Sequence, residues 1–110
     1  MAKFAVFFSY TADAWKSMLD NPSDRAAAAR KIAEAVGGTL ESMYWMLGDY
    51  DGFAIADVDD SLSAAAISVA ISSSGAFTNV STHELLDADA RDGLLEKART
   101  ALGSYSSPTG

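Results

Sequence analysis

The segment Gly48-Asp49-Tyr50-Asp51-Gly52 separates two apolar runs, Leu40 to Leu47 and Phe53 to Val58. Two glycines and two aspartates in five residues supply the left-handed backbone and side-chain-to-backbone bonds of a tight loop. The pattern predicts a β-hairpin, and a hairpin fixes the register of the strands it joins.

The rest of the chain alternates between strand and helix signals. Phe4 to Tyr10 is aromatic and β-branched and apolar at nearly every position, which predicts a strand covered on both faces. Thr11 is a candidate cap for a helix in which Trp15, Met18 and Leu19 share one face. Asn21-Pro22 ends that helix near Asp20, and Ser23 can cap a second piece carrying an Ala29, Ile32, Ala33 and Val36 stripe. Arg25, Arg30, Lys31 and Glu34 read as lying off this stripe. Gly37-Gly38 stops the helix before a strand over Thr39 to Leu47. Asp59-Asp60-Ser61 opens a helix from Leu62 to about Ser72, whose small side chains suit close packing on a sheet. A strand follows over Phe77 to Leu86, then a final helix from Asp87-Ala88-Asp89 with Leu94, Leu95, Ala98 and Leu102 as its apolar positions.

The order β-α-β-β-α-β predicts an α+β fold, the ferredoxin-like sandwich: a four-stranded antiparallel sheet with helices on one face, plus an extra C-terminal helix. Strands one and three are central. The expected division is one domain over residues 1–103 and a flexible tail over residues 104–110. The uncovered sheet face draws on Phe7, Met43, Trp45, Phe53, Ile55 and Phe77, and the sequence leaves open which parity points outward. Strands ~4.8 Å apart, with about five residues each at ~3.3 Å, give a footprint of roughly 300 Å². An apolar patch of that size calls for a cover, supplied by the last helix or more fully by a second subunit. Two sheets packed face to face form a dimeric α+β barrel, so a homodimer or higher homo-oligomer is expected.

Charge and composition narrow the partners. With 15 acidic and 8 basic residues the net charge is −7, which disfavours nucleic acid and anionic membrane surfaces. Cysteine is absent, which removes disulfides, zinc-thiolate sites and thiol nucleophiles and fits a cytoplasmic location. The apolar run at the N-terminus is too short for a signal peptide or a membrane span.

At Tyr44-Trp45-Met46-Leu47-Gly48-Asp49-Tyr50-Asp51 the chain resembles the GYD domain family, small bacterial and archaeal proteins of the dimeric α+β barrel superfamily. Asp49 separates the glycine from Tyr50-Asp51, a variation the family tolerates. Asn21-Pro22-Ser23-Asp24-Arg25 resembles the family's proline-arginine break in the first helix. Gly37-Gly38-Thr39-Leu40 is similar to its entry to strand two, and Asn79-Val80-Ser81-Thr82 to the start of its last strand. The resemblance runs from about Lys3 to Leu86. It implies a fold but no assigned activity, because related barrels include cofactor-free monooxygenases, haem-degrading enzymes and plain binding modules. The chain departs from the family pattern at His83-Glu84, where a glutamate and a threonine are expected.

His83 is the one histidine, and the one candidate for a catalytic role as a general base or axial haem ligand. The ordinary reading is a strand histidine bonded to a neighbour or facing water. Tyr10, Tyr44, Tyr50, Trp15 and Trp45 suit a pocket for an aromatic molecule, and equally suit core or interface anchoring, the preferred reading for Trp45. Asp49, Asp51, Asp57, Asp59 and Asp60 lack calcium-loop spacing and are explained by turns and caps. No nucleotide-binding or serine-hydrolase fingerprint occurs.

These readings converge on a protein that binds a small apolar or aromatic ligand between the sheet and its helices or partner. Tyr44, Trp45, His83 and Glu84 are the expected lining, with no metal and no cofactor. Two alternatives stand beside it. One is a cofactor-free or haem-dependent oxygenase, which requires a buried His83 beside a cavity. The other is a pure assembly module, which requires a solid interior.

Overall fold

The computed structural model describes residues 1–109; Gly110, the last residue of the expected tail, lies outside the described residues. The strands are β1 (Ala2–Tyr10), β2 (Thr39–Trp45), β3 (Gly52–Val58) and β4 (Phe77–Leu85). The helices are α1 (Ala12–Asp20), α2 (Arg25–Ala35), α3 (Ser61–Ser72) and α4 (Arg91–Ser104). A 3-10 turn over Ala88–Ala90 leads into α4.

The strands form one open antiparallel sheet in the order β2-β3-β1-β4, the ferredoxin-like arrangement. Helices α2 and α3 cover one face. Phe4, Val6, Phe8 and Tyr10 of β1 point toward them, while Lys3, Phe7 and Ser9 belong to the uncovered face. Phe4, Val58, Ala64 and Ile67 form the tight core, with Ala2, Ile32 and Val36 packed against it. A large apolar side chain buried this fully contributes about 1.5–3 kcal/mol. The core therefore sits where the start of β1 and the end of β3 meet the C-terminal half of α2 and the body of α3. Gly38 permits that closeness: a Cβ there would lie 2.4 Å from the Asp57 carbonyl oxygen and 2.6 Å from Val58 Cγ1.

Local chemistry sets the helix starts. Thr11 caps α1, its Oγ1 accepting from the Ala14 N–H at 3.1 Å. Asp24, rather than Ser23, caps α2 and accepts from the Ala27 N–H at 3.0 Å. A carboxylate accepts this bond at the positive end of the helix, which favours it over a hydroxyl one residue earlier. Asp60 caps α3 through the Ser63 N–H at 2.9 Å.

Strand β2 differs from its expected form in two ways. It ends at Trp45 rather than Leu47, because the Met46 N–H already donates to the Asp51 carbonyl at 2.8 Å and closes the hairpin loop. It also carries a β-bulge. Leu40 pairs with Ala56 and Ser42 with Ile55, leaving Glu41 as the extra residue. The bulge resets the alternation, so Leu40 and Met43 both face the helices.

The last helix departs furthest from the body. Its main packing is against the turn that precedes it, and every residue from His83 to Thr109 is exposed. The radius of gyration is 17.6 Å and the longest extent 58 Å, against about 13 Å expected for a compact chain of this length. Helix α4 thus projects from the sheet with Leu94, Leu95 and Leu102 exposed. No helix among the described residues is long and apolar enough to cross a membrane.

Candidate functional site

Away from the tight core, the helices and the sheet separate around a half-open cavity of about 380 Å³. Its floor is Val6, Phe8 and Tyr10 of β1, Met43 of β2, and Ala54 and Ala56 of β3. Ala28, Ala29 and Ile32 of α2 form one wall, and Ile67, Ala70 and Ile71 of α3 the other. The size falls within the range of small-molecule sites. The small side chains that promised close helix–sheet packing leave a void here, because alanines from three elements face one another and none is long enough to fill the gap.

One end of the cavity is polar. Arg25, the first residue of α2, is the only charged residue on its lining. Its Nε is buried without a hydrogen-bond partner. Tyr10 stands beside it and is only 8% exposed. Burial pushes the Tyr10 phenol above its ordinary pKa, and the Arg25 guanidinium works against that rise. Tyr10, Arg25 and Ala76 also line an outer cleft bounded by Ser17, Met18 and Asn21, so this polar end is the cavity's mouth.

The hairpin loop supports that mouth from behind. Asp51 Oδ2 accepts from the Tyr10 backbone N–H at 2.8 Å and from the Trp15 indole N–H at 3.1 Å. The Asp51 N–H donates to the Phe8 carbonyl at 2.9 Å. Around these bonds Phe8, Tyr10, Trp15, Trp45 and Phe77 form a ring cluster, with Tyr10 stacked on Phe77 at 4.8 Å.

The uncovered sheet face carries a second aromatic row. Tyr44 stacks on Phe53 at 5.3 Å, Phe53 on Phe7 at 5.3 Å, and His83 meets Phe7 edge-on at 5.8 Å. Tyr50 leans over Phe7 at 5.5 Å. At one border Lys3 bridges Glu41 at 2.6 Å and Asp57 at 3.2 Å. Those contacts, Glu41 foremost, hold the Lys3 ammonium above its ordinary pKa.

The sequence matches the GYD domain family over residues 4–95. The chain belongs to the GYD domain family. Comparison with curated proteins gives no match. Among solved structures the chain is similar to the crystal structure of FFRP-DM1, at 15% identity and a TM-score of 0.53. That likeness covers 78% of this chain and 100% of the other, and it shows a shared fold. The GYD match extends past β4 into α4, beyond the Lys3 to Leu86 span read from motifs. Within this GYD domain, the loop's Asp51 and the proline-arginine break's Arg25 come together at Tyr10.

The four residues expected to line a ligand site divide between the two faces. Tyr44 and His83 lie on the uncovered face, at opposite edges of the sheet. Trp45 lies on the helix side in the ring cluster. Glu84 also lies on the helix side, where its Oε1 accepts from the Ser61 hydroxyl at 2.9 Å. His83 is exposed, and its Nε2 shares a 2.7 Å hydrogen bond with the Ser81 hydroxyl. None of the four lines the cavity. Of the expected uncovered set, Phe7, Phe53 and Ile55 face outward, while Met43, Trp45 and Phe77 do not, because of the β2 bulge and the parity of β4. No cluster of three or more metal-ligating side chains occurs among the described residues.

Arg25 was not legible as a site residue when placed off the α2 stripe. It precedes Ala29 by four residues, so it extends that stripe back by one turn. A lone cation at the head of an apolar helix face was the available signal.

Proposed function

We propose that this GYD protein is a cytoplasmic, homo-oligomeric binding protein whose helix-side cavity takes a small apolar or aromatic molecule. The cavity of about 380 Å³ between sheet and helices carries the reading. A pure assembly module needs no such space. The oligomeric part is supported by the aromatic row Tyr44, Phe53 and Phe7, with Tyr44 57% exposed. Helix α4 turns away from this face, so a second subunit is the remaining cover for it. The oxygenase alternative requires His83 buried beside a cavity; in the single chain His83 is exposed on the uncovered face and lines none, so that reading needs the second subunit to enclose it. Tyr10 stands at the mouth, and Trp15 and Trp45 pack against its ring from behind and hold it in place.

Native mass spectrometry of protein purified from its own host tests both parts together. The expected result is a dimer or larger assembly carrying retained small molecules. A monomeric mass at micromolar concentration overturns the oligomeric part. Calorimetric titration with decanol tests the cavity, and a flat titration overturns the ligand-binding part.

A further inference from the structure

The cavity is apolar along its length and cationic at its mouth. Arg25 makes no ion pair among the described residues, and its buried Nε has no acceptor. A guanidinium donor left without an acceptor in a low-dielectric pocket is costly, and a carboxylate from outside removes that cost. The carboxylates on this side leave Arg25 unpaired: Asp20 lines the same outer cleft without forming an ion pair to it, Asp24 accepts from the Ala27 N–H, and Asp51 is committed to the Tyr10 N–H and the Trp15 indole. The Tyr10 phenol lies beside Arg25 and brings an O–H that can donate to the same head group.

We infer that the ligand is an amphipathic monocarboxylate whose head group meets Arg25 and Tyr10 at the mouth and whose apolar body fills the alanine-lined cavity. The inference rests on the ligand-binding reading above. At ~30 Å³ per water-sized group the cavity holds about a dozen non-hydrogen atoms. That suits a medium-chain fatty acid or a fused-ring aromatic acid. The outer cleft keeps the head group partly hydrated, so the carboxylate need not be stripped of all its water. The chain's net charge of −7 slows approach of any anion, which makes a dedicated cation at the entrance more necessary.

Calorimetric titration of the purified full-length chain with decanoate and with decanol, its uncharged counterpart, tests this. Wild-type protein is expected to bind decanoate more tightly than decanol. Arg25→Gln is expected to weaken decanoate by about ten- to a hundredfold and decanol by much less, because only the carboxylate loses a charge partner. Arg25→Lys keeps the charge and should retain most of the decanoate affinity, and it guards against a folding defect at the head of α2. Equal affinities for decanoate and decanol, both indifferent to Arg25→Gln, overturn the carboxylate inference and leave the cavity reading standing. Absence of binding by either probe to the wild-type protein overturns both.

Discussion

The Asp51 carboxylate accepts the Trp15 indole N–H at 3.1 Å, joining the hairpin loop to the first helix across 36 residues of sequence. The same oxygen takes the Tyr10 N–H, so one side chain holds the end of β1, the start of α1 and the loop together. Asp51→Ala should lower stability by about 1 kcal/mol, since it leaves the part-buried Tyr10 N–H unpaired and releases the more exposed Trp15 indole to water. Asp51→Asn keeps an acceptor oxygen and should lose less than half as much. Urea unfolding midpoints of the two variants check this, and an Asp51→Ala midpoint equal to wild type refutes it.

Gly52 faces Trp45 across the hairpin, and a Cβ there would sit 2.6 Å from the Tyr44 carbonyl oxygen and 2.7 Å from Phe8 Cζ. Gly52→Ala should therefore cost about 1–3 kcal/mol through overpacking. Displacement of Phe8 would also disturb the cavity floor. Thermal melting should show the loss, together with weaker decanol binding.

Ala29→Leu places a branched side chain into the cavity from α2. Stability should hold or rise, because the space is already apolar. Decanol affinity should fall by about tenfold or more. A variant that binds decanol as well as wild type would show that the ligand lies elsewhere.

Phe7 stands at the centre of the uncovered aromatic row, stacked on Phe53 and met by His83 and Tyr50. Phe7→Glu should break an oligomer that uses this face while leaving a folded chain, because Phe7 points away from the core. Sedimentation equilibrium would show a fall in mass with an unchanged far-ultraviolet spectrum. An unchanged mass would place the contact on another surface.

Two exposed groups set opposite pH limits. The Ser63 N–H, and then its hydroxyl, hold the Asp60 carboxyl below its ordinary pKa. This contribution is present above the ordinary carboxylate range and is lost as pH falls through the lowered value. Asp60→Asn should therefore lose its stability deficit as the solution is acidified. Lys3 behaves in reverse, because its pKa is raised by Glu41 and Asp57. Its contribution is present below the ordinary lysine range and is lost as pH rises through the raised value. The gap between wild type and Lys3→Met should close only at high pH. Denaturant unfolding across the pH range reads both.

Most of the fold was written in local patterns. Thr11, Pro22, Gly37-Gly38 and the Gly48 to Gly52 segment each act through nearest-neighbour backbone chemistry, and the strands and helices lie close to where these residues place them. The site was less legible because it depends on which faces meet. Tyr44 and Trp45 are adjacent in sequence and lie on opposite sides of the sheet, and the same holds for His83 and Glu84. Arg25 looked like a surface charge until the helix phase was carried back one turn. The alanines promised contact and produced a space, an outcome set by three elements at once.

The bulge at Glu41 has a consequence at the level of the gene. Two residues, Leu40 and Glu41, stand where a regular ladder has one, so the loss of the Glu41 codon would leave Leu40 opposite Ala56 and Ser42 opposite Ile55 with no bulge. Met43 and Trp45 would keep the helix side and Tyr44 the uncovered side. The Lys3 contact to the Glu41 carboxylate would disappear in the same step. Loss of any other single codon between Ser42 and Trp45 would instead shift the strand faces, so an alignment with relatives that lack the extra residue should place its gap at Glu41.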